Sequence, residues 1–271
     1  APQGGRAEAS DLRGAFRTVS SVQLETTPEC MIGSITDLEI DGQGNFVIAD
    51  GWKAGLVYCF ASDGRFLGMV GGRGQGPGEY ATPVSLAVGP GGEIVVCDYL
   101  PNKLIFYDKD RRYQRNVRGE PRFQYFIHIG GDGAIYAYSG SLDPRKNGVF
   151  DTIHKYDDSG REVLSFGPIQ TEVLDRGFSL VADGMAIGGD GFIYEKNPLF
   201  SQIRKFDPSG ALVRSFVRPD KGKRAEDISS HDGYYGLFYL RKGLLVVQSG
   251  GTVDLFDNEG RFLKGDLPLR H

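Results

Sequence analysis

Hydrophobic residues occur along this chain in short clusters that alternate with turns rich in glycine and aspartate. At five places an aliphatic residue is followed three positions later by an aromatic residue, usually with an acidic residue and a glycine after it. The aromatic residues lie at intervals of 47, 49, 50 and 50 residues and are Phe60, Tyr107, Tyr156, Phe206 and Phe256. A fixed period in this range, built from short strands, is typical of a radial or solenoid repeat array.

Each repeat has the same internal order of four predicted strands. A short apolar strand leads through a Gly/Asp turn into a second strand rich in β-branched and aromatic residues, such as residues 94–97. The third strand carries the aliphatic–aromatic pair, and a more polar fourth strand closes the repeat. The inner two strands are nearly all apolar, as expected when neighbouring sheets bury them on both faces. We therefore predict an all-β fold, a β-propeller of four-stranded antiparallel blades, with repeats at about 35–80, 83–123, 124–170, 180–219 and 233–268.

The segment before the first repeat bears on how the ring of blades closes. Residues 1–15 are predicted to form a flexible tail, and residues 16–271 a single domain. Five repeats are explicit, and the alternating residues 16–24 predict one more strand, so the ring has either five blades or an incomplete sixth. This strand can close its own ring by pairing with the C-terminal sheet, or it can pair with a neighbouring molecule. The apolar residues of this predicted assembly strand are Phe16, Val19, Val22 and Leu24.

Composition narrows the class of protein. Glycine accounts for 40 of 271 residues, which suits a fold with many tight turns. The formal net charge of −4 gives no reason to expect a nucleic-acid partner. No apolar run approaches the roughly 18 residues that predict a membrane-spanning helix. The chain begins at Ala1 with a small-residue sequence of the kind that signal-peptide cleavage leaves, so we expect an exported, periplasmic or extracellular protein.

The three cysteines do not settle the redox environment, because an odd number cannot all pair within the chain. Cys97 lies in an apolar run and is predicted to be a buried, small hydrophobic residue. Cys59 occupies a repeat position that other repeats fill with lysine, phenylalanine or leucine, which predicts partial exposure. A Cys30–Cys59 disulfide is compatible with the sequence but is not required by it.

The first repeat resembles an NHL repeat. The residues that carry this resemblance are 41–50, Val57, Phe60, Gly64, Phe66 and Leu67. The segment 71–80, followed by Pro83, is similar to the connector between the first two blades of bacterial exported six-bladed propellers related to NHL proteins. The resemblance extends over roughly residues 20–268. It implies a propeller of the six-bladed type and implies little about activity, because such propellers include binding modules, lyases and lactonases.

Propeller lyases and lactonases of this kind hold a divalent cation with side chains from several blades, so the resemblance directs attention to matching positions. Asp50 and Asp98 match each other at the end of the second strand, and the fourth repeat has Glu195 there. These three are candidate metal ligands, with calcium as the metal that oxygen ligands favour. Alternatively, each carboxylate accepts backbone N–H groups of a nearby loop and is structural. The main expectation is a protein without a cofactor.

Two further residues are candidates for catalysis. His128 lies on a predicted inner strand, and with Asp37 or Glu195 it could act as a base or a ligand. It could equally be an inert, hydrogen-bonded residue. Zinc-site spacings and a nucleophile elbow are absent from the sequence. The glycine-rich residues 72–78 do not predict a phosphate-binding loop, because a strand follows them instead of Gly-Lys-Ser/Thr and a helix.

A local basic stripe lies on the outer strand of the second repeat and in its exit loop. Its candidate binding residues are Arg111, Arg112, Tyr113, Arg115, Arg118 and Arg122. The stripe could dock an anionic glycan, a nucleic acid or an acidic protein surface, or it could be charge that prevents sheet-to-sheet pairing. A weaker basic segment, residues 218–224, contains proline and glycine and is predicted to be a solvated loop.

Three functional hypotheses from different classes follow. The first is a non-catalytic exported propeller that binds a protein partner or assembles with copies of itself into a homopolymer by strand exchange. The second is a metal-dependent lyase or lactonase with a site in the central channel. The third is a binder of anionic polymer through the basic stripe.

Overall fold

The computed structural model of the protein describes residues 20–100, 102–118, 126–138, 149–170, 184–196, 202–218, 234–240, 243–248 and 252–268. All regular secondary structure within these residues is β-strand. They contain no helix that is long and apolar enough to cross a membrane. The prediction of an all-β fold is confirmed.

The strands form five four-stranded antiparallel sheets, which we number as blades in chain order. Blade 1 contains β1 (Asp37–Ile40), β2 (Phe46–Asp50), β3 (Leu56–Phe60) and β4 (Phe66–Met69), and a short parallel pair follows it, β5 (Gly72–Arg73) and β6 (Glu79–Tyr80). Blade 2 contains β7 (Pro83–Val88), β8 (Ile94–Asp98), β9 (Lys103–Tyr107) and β10 (Tyr113–Arg118). Blade 3 contains β11 (Phe126–Ile129), β12 (Ile135–Tyr138), β13 (Val149–Tyr156) and β14 (Glu162–Gln170). Blade 4 contains β15 (Met185–Ile187), β16 (Ile193–Lys196), β17 (Gln202–Phe206) and β18 (Leu212–Val217). Blade 5 contains β19 (Tyr234–Leu240), β20 (Gly243–Gln248), β21 (Thr252–Phe256) and β22 (Phe262–Pro268).

Within every blade, strands that are consecutive in sequence are hydrogen-bonded neighbours. This is the arrangement of a five-bladed β-propeller. The described residues do not support the sixth blade or the NHL assignment that the resemblance implied, because each of the five sheets already has four strands from its own repeat. The glycine-rich connector forms the parallel pair β5–β6, and a strand follows it, as predicted.

The described part of the predicted N-terminal strand, residues 20–24, contains no strand. The backbone N–H of Glu25 donates to the Gly64 carbonyl (2.8 Å), and Leu24 packs against an apolar cluster that includes Phe60 of blade 1. The strand prediction is wrong for these residues because they contact a turn instead of an extended neighbour. Two members of the predicted assembly strand, Phe16 and Val19, lie outside the described residues.

The chain divides into two compact units. One comprises Val22–Asp183 with Pro208–Ala211 and contains blades 1 to 3. The other includes Gly184–Asp207 and Leu212–His271 and contains blades 4 and 5. Both units bury apolar side chains between adjacent blades, which is the main source of stability in a sheet packed on both faces.

In the larger unit, a chain of hydrogen bonds ties the inner strands of three blades together. The Asp37 carboxylate in β1 accepts bonds from the hydroxyl of Ser85 (2.7 Å) and from the backbone N–H of Leu86 (2.9 Å). The Ser85 hydroxyl in turn accepts the N–H of Ile127 in β11 (3.1 Å). Ser85 is fully buried, so these bonds are shielded from competing water. Asp37 is therefore part of the blade-to-blade framework.

In the smaller unit, blades 4 and 5 meet through aromatic side chains. The Phe216 ring of β18 lies 5.5 Å from Phe256 of β21, and Phe256 packs in turn against Phe262. The Lys205 ammonium group lies between Asp190 of its own blade (3.2 Å) and the Asn258 carbonyl of the next (3.2 Å). An apolar contact and a charged one thus join the same two blades.

All three cysteines are buried and free. Cys97 is buried, as predicted. Cys59 is only 5% exposed, so the expectation of partial exposure is wrong; residues of blade 2 such as Ile94 cover it. Cys30 and Cys59 belong to different apolar clusters, and the optional disulfide between them is not formed.

The turn between the third and fourth strands explains the glycine of the sequence repeat. Gly160 has φ +77° at this turn and packs directly against the Val117 side chain of the preceding blade, so an added Cβ would overlap it. Gly133, in the turn between β11 and β12, has nearly the same φ (+78°), but an added Cβ would meet nothing within 4 Å. Substitutions at these two glycines therefore separate the cost of a left-handed backbone from the cost of overlap with the Val117 side chain.

We expect Gly133→Ala to lower the free energy of unfolding by about 1–2 kcal/mol, the cost of a left-handed backbone for a residue with a Cβ. Gly160→Ala should cost about 1–3 kcal/mol more, because the added methyl group also overpacks the boundary between blades 2 and 3. Urea unfolding of both variants beside the wild type measures the difference. Equal losses in the two variants would show that this boundary is not tightly packed at Gly160.

Candidate functional site

Asp50 lies at the end of β2, and its carboxylate holds two loops together. One oxygen accepts the backbone N–H groups of Gly33 (2.5 Å) and Ser34 (3.1 Å), and the other accepts those of Lys53 (3.1 Å) and Ala54 (3.0 Å). Burial alone would raise the pKa of Asp50, but the four N–H donors outweigh it and hold the pKa below its ordinary value. The residue is fully buried and acts as a hub for backbone groups.

Asp98, the matching residue of β8, has a similar environment. Its oxygens accept the N–H groups of Ala81 (3.0 Å) and Thr82 (2.7 Å), and the Lys103 ammonium group lies 3.8 Å away. Burial raises the pKa of Asp98 above its ordinary value, because these donors offset the desolvation only in part. The Lys103 ammonium group also donates to the Glu79 carbonyl (2.6 Å), which fastens the β5–β6 connector.

Glu195 of blade 4 is occupied in a different way. Its two oxygens accept bonds from the Nε (2.5 Å) and an Nη (2.8 Å) of Arg204, and both side chains are buried. Such a two-point pair is the strongest arrangement that arginine and a carboxylate can form. Within the described parts of the chain, no group of three or more His, Cys, Asp or Glu side chains is placed to hold a metal ion.

The two candidate catalytic residues lie on the inner strands of blades 1 and 3, with blade 2 between them. Asp37 is bound to Ser85 and Leu86, as described above. His128 lies in β11, is partly buried, and is opposite Tyr136 in the register of blade 3. The catalytic role that the sequence suggested for this pair stays a hypothesis.

The predicted basic stripe divides into two kinds of side chain. The Arg111 guanidinium donates to the Leu67 carbonyl of blade 1 (2.9 Å). Arg115 donates to the Asp158 carbonyl of blade 3 and lies 3.8 Å above the Phe106 ring. These two therefore link blades. The remaining described members of the stripe are exposed and are Arg112, Tyr113 and Arg118, while Arg122 lies outside the described residues.

Arg218, predicted to begin a solvated loop, is buried instead. Its guanidinium binds the buried Asp254 of β21 (2.9 Å) and also Asp266 of β22. The prediction was wrong for this residue because two carboxylates of the next blade compensate the buried charge. Nothing in the local sequence around Arg218 points to partners that lie 36 and 48 residues away.

The feature that the sequence analysis missed is an apolar surface at the carboxyl ends of β2 and β8. Trp52, the only tryptophan of the chain, is 58% exposed, and its ring lies 6.3 Å from Tyr99 in an edge-to-face arrangement. Three further apolar side chains are more than half exposed on the adjoining loops: Met31, Ile35 and Leu100. We call these five residues the Trp52 surface. The available signal was a single tryptophan in a loop, two residues after a strand-end aspartate.

The buried carboxylates fix the loops that carry the Trp52 surface. Asp50 binds the backbone directly after Trp52, at Lys53 and Ala54, and directly before Ile35, at Gly33 and Ser34. The Thr36 hydroxyl accepts the N–H of Gly51 (3.2 Å), and the N–H of Tyr99 donates to the Thr82 carbonyl (2.9 Å). The apolar side chains therefore project from a backbone that is already held in place.

Comparison with known proteins supports the fold. A family model described as "Domain of unknown function (DUF4934)" matches residues 5–220. Among curated proteins, none matches the sequence significantly. A Bacteroides fragilis protein described as a candidate exported protein superposes with a TM-score of 0.63 and 15% sequence identity, covering 90% of this chain and 74% of that one.

Two lyase structures are also similar. Virginiamycin B lyase from Staphylococcus aureus has a TM-score of 0.59 and 18% identity, covering 85% of this chain and 69% of that one. A streptogramin B lyase has a TM-score of 0.58 and 13% identity, covering 86% and 68%. At these identities the similarity shows the β-propeller fold and does not establish an activity.

We expect Asp50→Asn to lower the free energy of unfolding by about 2–4 kcal/mol at pH 7. The amide group would keep one acceptor oxygen and turn an NH₂ group toward two of the four N–H donors, which leaves buried donors unsatisfied. Urea unfolding measures the loss. Asp63→Asn is the matched control, because the exposed Asp63 carboxylate accepts only the N–H of Arg65 in a turn (3.0 Å), and it should change stability by less than about 0.5 kcal/mol.

The effect of Asp50 should depend on pH in a defined direction. Because the folded-state pKa lies below the ordinary value of 3.8, Asp50 stabilises the protein above that pH, and this contribution is lost as the pH falls through the folded-state pKa. The difference in the free energy of unfolding between wild type and Asp50→Asn should therefore become smaller in acid. If this difference stayed constant from pH 7 to pH 3, the lowered pKa of Asp50 would be contradicted.

Proposed function

Because the chain belongs to the DUF4934 family and has the β-propeller fold, we propose that it is a non-catalytic binding module that docks a protein partner on the Trp52 surface. The partner is either a different protein or a second copy of this chain. We also propose that the protein is exported, in keeping with the similarity to the candidate exported protein of B. fragilis.

The exposed tryptophan is the observation that carries the proposal. Tryptophan is among the residues that contribute most to protein interfaces, and burying one removes about 150–250 Å² from water. Trp52, Leu100 and Ile35 are each more than half exposed on these loops, and exposed apolar patches mark interaction surfaces. Since Asp50 fixes the loops in advance, docking would cost little ordering of the backbone.

Two other hypotheses have less support from the described residues. A metal-dependent lyase or lactonase needs oxygen ligands that converge from several blades, whereas Asp50, Asp98 and Glu195 each bind groups of the protein. Fewer basic side chains are available to an anionic polymer than the sequence suggested, because Arg111 and Arg115 donate to carbonyl groups of neighbouring blades.

We expect calcium to leave the melting temperature unchanged. A cation that binds only the folded state at a hundred times its Kd would stabilise the protein by about 2.7 kcal/mol, a shift that calorimetry detects easily. Scans in millimolar calcium and in excess chelator should therefore superpose. A calcium-dependent rise in melting temperature that is lost in Glu195→Gln or Asp98→Asn would revive the lyase hypothesis.

The docking proposal predicts a position-specific cross-link. Leu100 is replaced by a photoreactive amino acid in the organism that naturally produces the protein. Irradiation of these cells should then give a discrete adduct with one protein. The same replacement at Leu212 is the control, because Leu212 has comparable exposure (55% against 60%) but lies on the outer strand β18. An adduct of twice the chain mass would identify a second copy as the partner.

Trp52→Ala should remove the adduct at position 100 without changing the unfolding curve by more than about 0.5 kcal/mol, since an exposed side chain contributes little to stability. The proposal fails if positions 100 and 212 give the same adducts, or if the adduct at position 100 persists in the Trp52→Ala background.

A further inference from the structure

A cavity of about 410 Å³ lies between blades 1 and 2, at the opposite end of β2 from the Trp52 surface. Its inner wall is apolar and consists of Val47, Cys59, Leu67 and Ile94. Three turns form its rim: residues 41–45 in blade 1, and residues 90–92 and 109–111 in blade 2. The volume is within the range of about 300–1,000 Å³ that small-molecule sites occupy.

Arg111 stands on this rim at a position where the other four repeats have glycine. The turn closes with an N–H bond from Arg111 to the Asp108 carbonyl (2.8 Å), the same bond that Gly160 makes to Asp157 (2.9 Å). Arg111 has φ +65°, a left-handed conformation that costs a residue with a Cβ about 1–2 kcal/mol. The four glycines at this turn position are Gly64, Gly160, Gly210 and Gly260.

The cavity exists because blade 1 lacks the side chains that fill the same space elsewhere. In blade 3 the position of Cys59 is Lys155, whose ammonium group binds Asp132 (2.8 Å) and lies against the Tyr136 ring. Blade 4 repeats this arrangement with Lys205, Asp190 and Tyr194. Blade 1 has Val47 in place of the tyrosine and Cys59 in place of the lysine, so both the bulk and the internal ion pair are missing.

The half-buried Arg111 guanidinium has no carboxylate partner among the described residues. One Nη donates to the Leu67 carbonyl, and the group also contacts the Cys59 thiol. The nearby acids are engaged elsewhere. Asp110 pairs with Lys109 (3.0 Å) and Arg112 (3.5 Å). Asp41 accepts the backbone N–H groups of Gln43 (2.8 Å) and Asn45 (2.9 Å) in its own turn.

We propose that this cavity binds a small organic carboxylate, with the carboxylate on Arg111 and the apolar part of the ligand against Val47, Leu67 and Ile94. A guanidinium has five N–H donors in a planar fork that matches a carboxylate, and such a pair strengthens as water is excluded. The wall offers apolar contact for a short alkyl chain or a single ring. The ligand thus supplies the negative charge that Asp132 and Asp190 supply in blades 3 and 4.

The test is a titration of the ¹⁵N-labelled protein with hexanoate and benzoate, followed by NMR. Backbone amides on the cavity rim, those of Gln43, Gly92 and Arg111, should shift with the carboxylates. The matched neutral amides, hexanamide and benzamide, should bind at least about tenfold more weakly, because a charge-assisted pair is roughly twice as strong as a neutral hydrogen bond. Equal binding of acid and amide, or no shift at the rim with either acid, would overturn the proposal.

Arg111→Gly is the decisive variant, because it restores the glycine of the other repeats and should fold normally. It should lose the hexanoate-induced shifts while the melting temperature stays close to that of the wild type, because relief of the positive φ offsets the lost bond to the Leu67 carbonyl. A second variant, Cys59→Phe, fills the cavity with the side chain that blade 2 carries at this position, Phe106, and leaves Arg111 in place. It should also abolish the shifts. Undiminished hexanoate binding in either folded variant would show that the carboxylate binds elsewhere.

Discussion

A sheet of four short strands cannot bury both of its faces alone, and this constraint governs the whole molecule. Each blade is stable only through the boundary it shares with its neighbour. Within the larger unit the boundaries combine apolar clusters with a buried hydrogen-bond chain from Asp37 through Ser85 to Ile127. Within the smaller unit, aromatic packing and the Lys205 contact perform the same task. The outer strands add arginines that reach across a boundary to a carbonyl group, as Arg115 and Arg214 do.

The same constraint explains why strand-end carboxylates are poor evidence for catalysis in this fold. A loop that leaves a buried strand carries backbone N–H groups that need acceptors. Asp50 satisfies four of them, and Asp98 satisfies those of Ala81, Thr82 and Leu100 and is balanced by Lys103. Glu195 pairs with Arg204 across the β16–β17 ladder. Equivalent positions thus carry acids for different structural reasons, and their alignment in sequence does not make them a ligand set.

The architecture could be predicted from the sequence because it depends on local signals. The aliphatic–aromatic pair, the Gly/Asp turns and the apolar second strand recur in every repeat, and each one specifies a strand or a turn within a few residues. Contacts between blades could not be predicted in this way. Arg218 was expected to be solvated because its nearest sequence neighbours are proline and charged residues, yet Asp254 and Asp266 compensate it from the next repeat. Residues 20–24 alternate like a strand, but their contacts are with the Gly64 turn.

The candidate sites lie where the repeat is broken, and this has a physical reason. At most repeat positions the side chain is the one that packs best between two blades. A residue that breaks this pattern and lowers stability therefore points to a role in function. Arg111 keeps a left-handed backbone where four repeats use glycine, and it faces a space that two other blades fill with a lysine–aspartate pair. The large apolar side chain of Trp52 is exposed on a loop whose backbone N–H groups are bound by the buried Asp50 carboxylate. These two features lie at opposite ends of β2, so one inner strand supports both surfaces, and a partner docked on Trp52 would leave the Arg111 cavity open to its ligand.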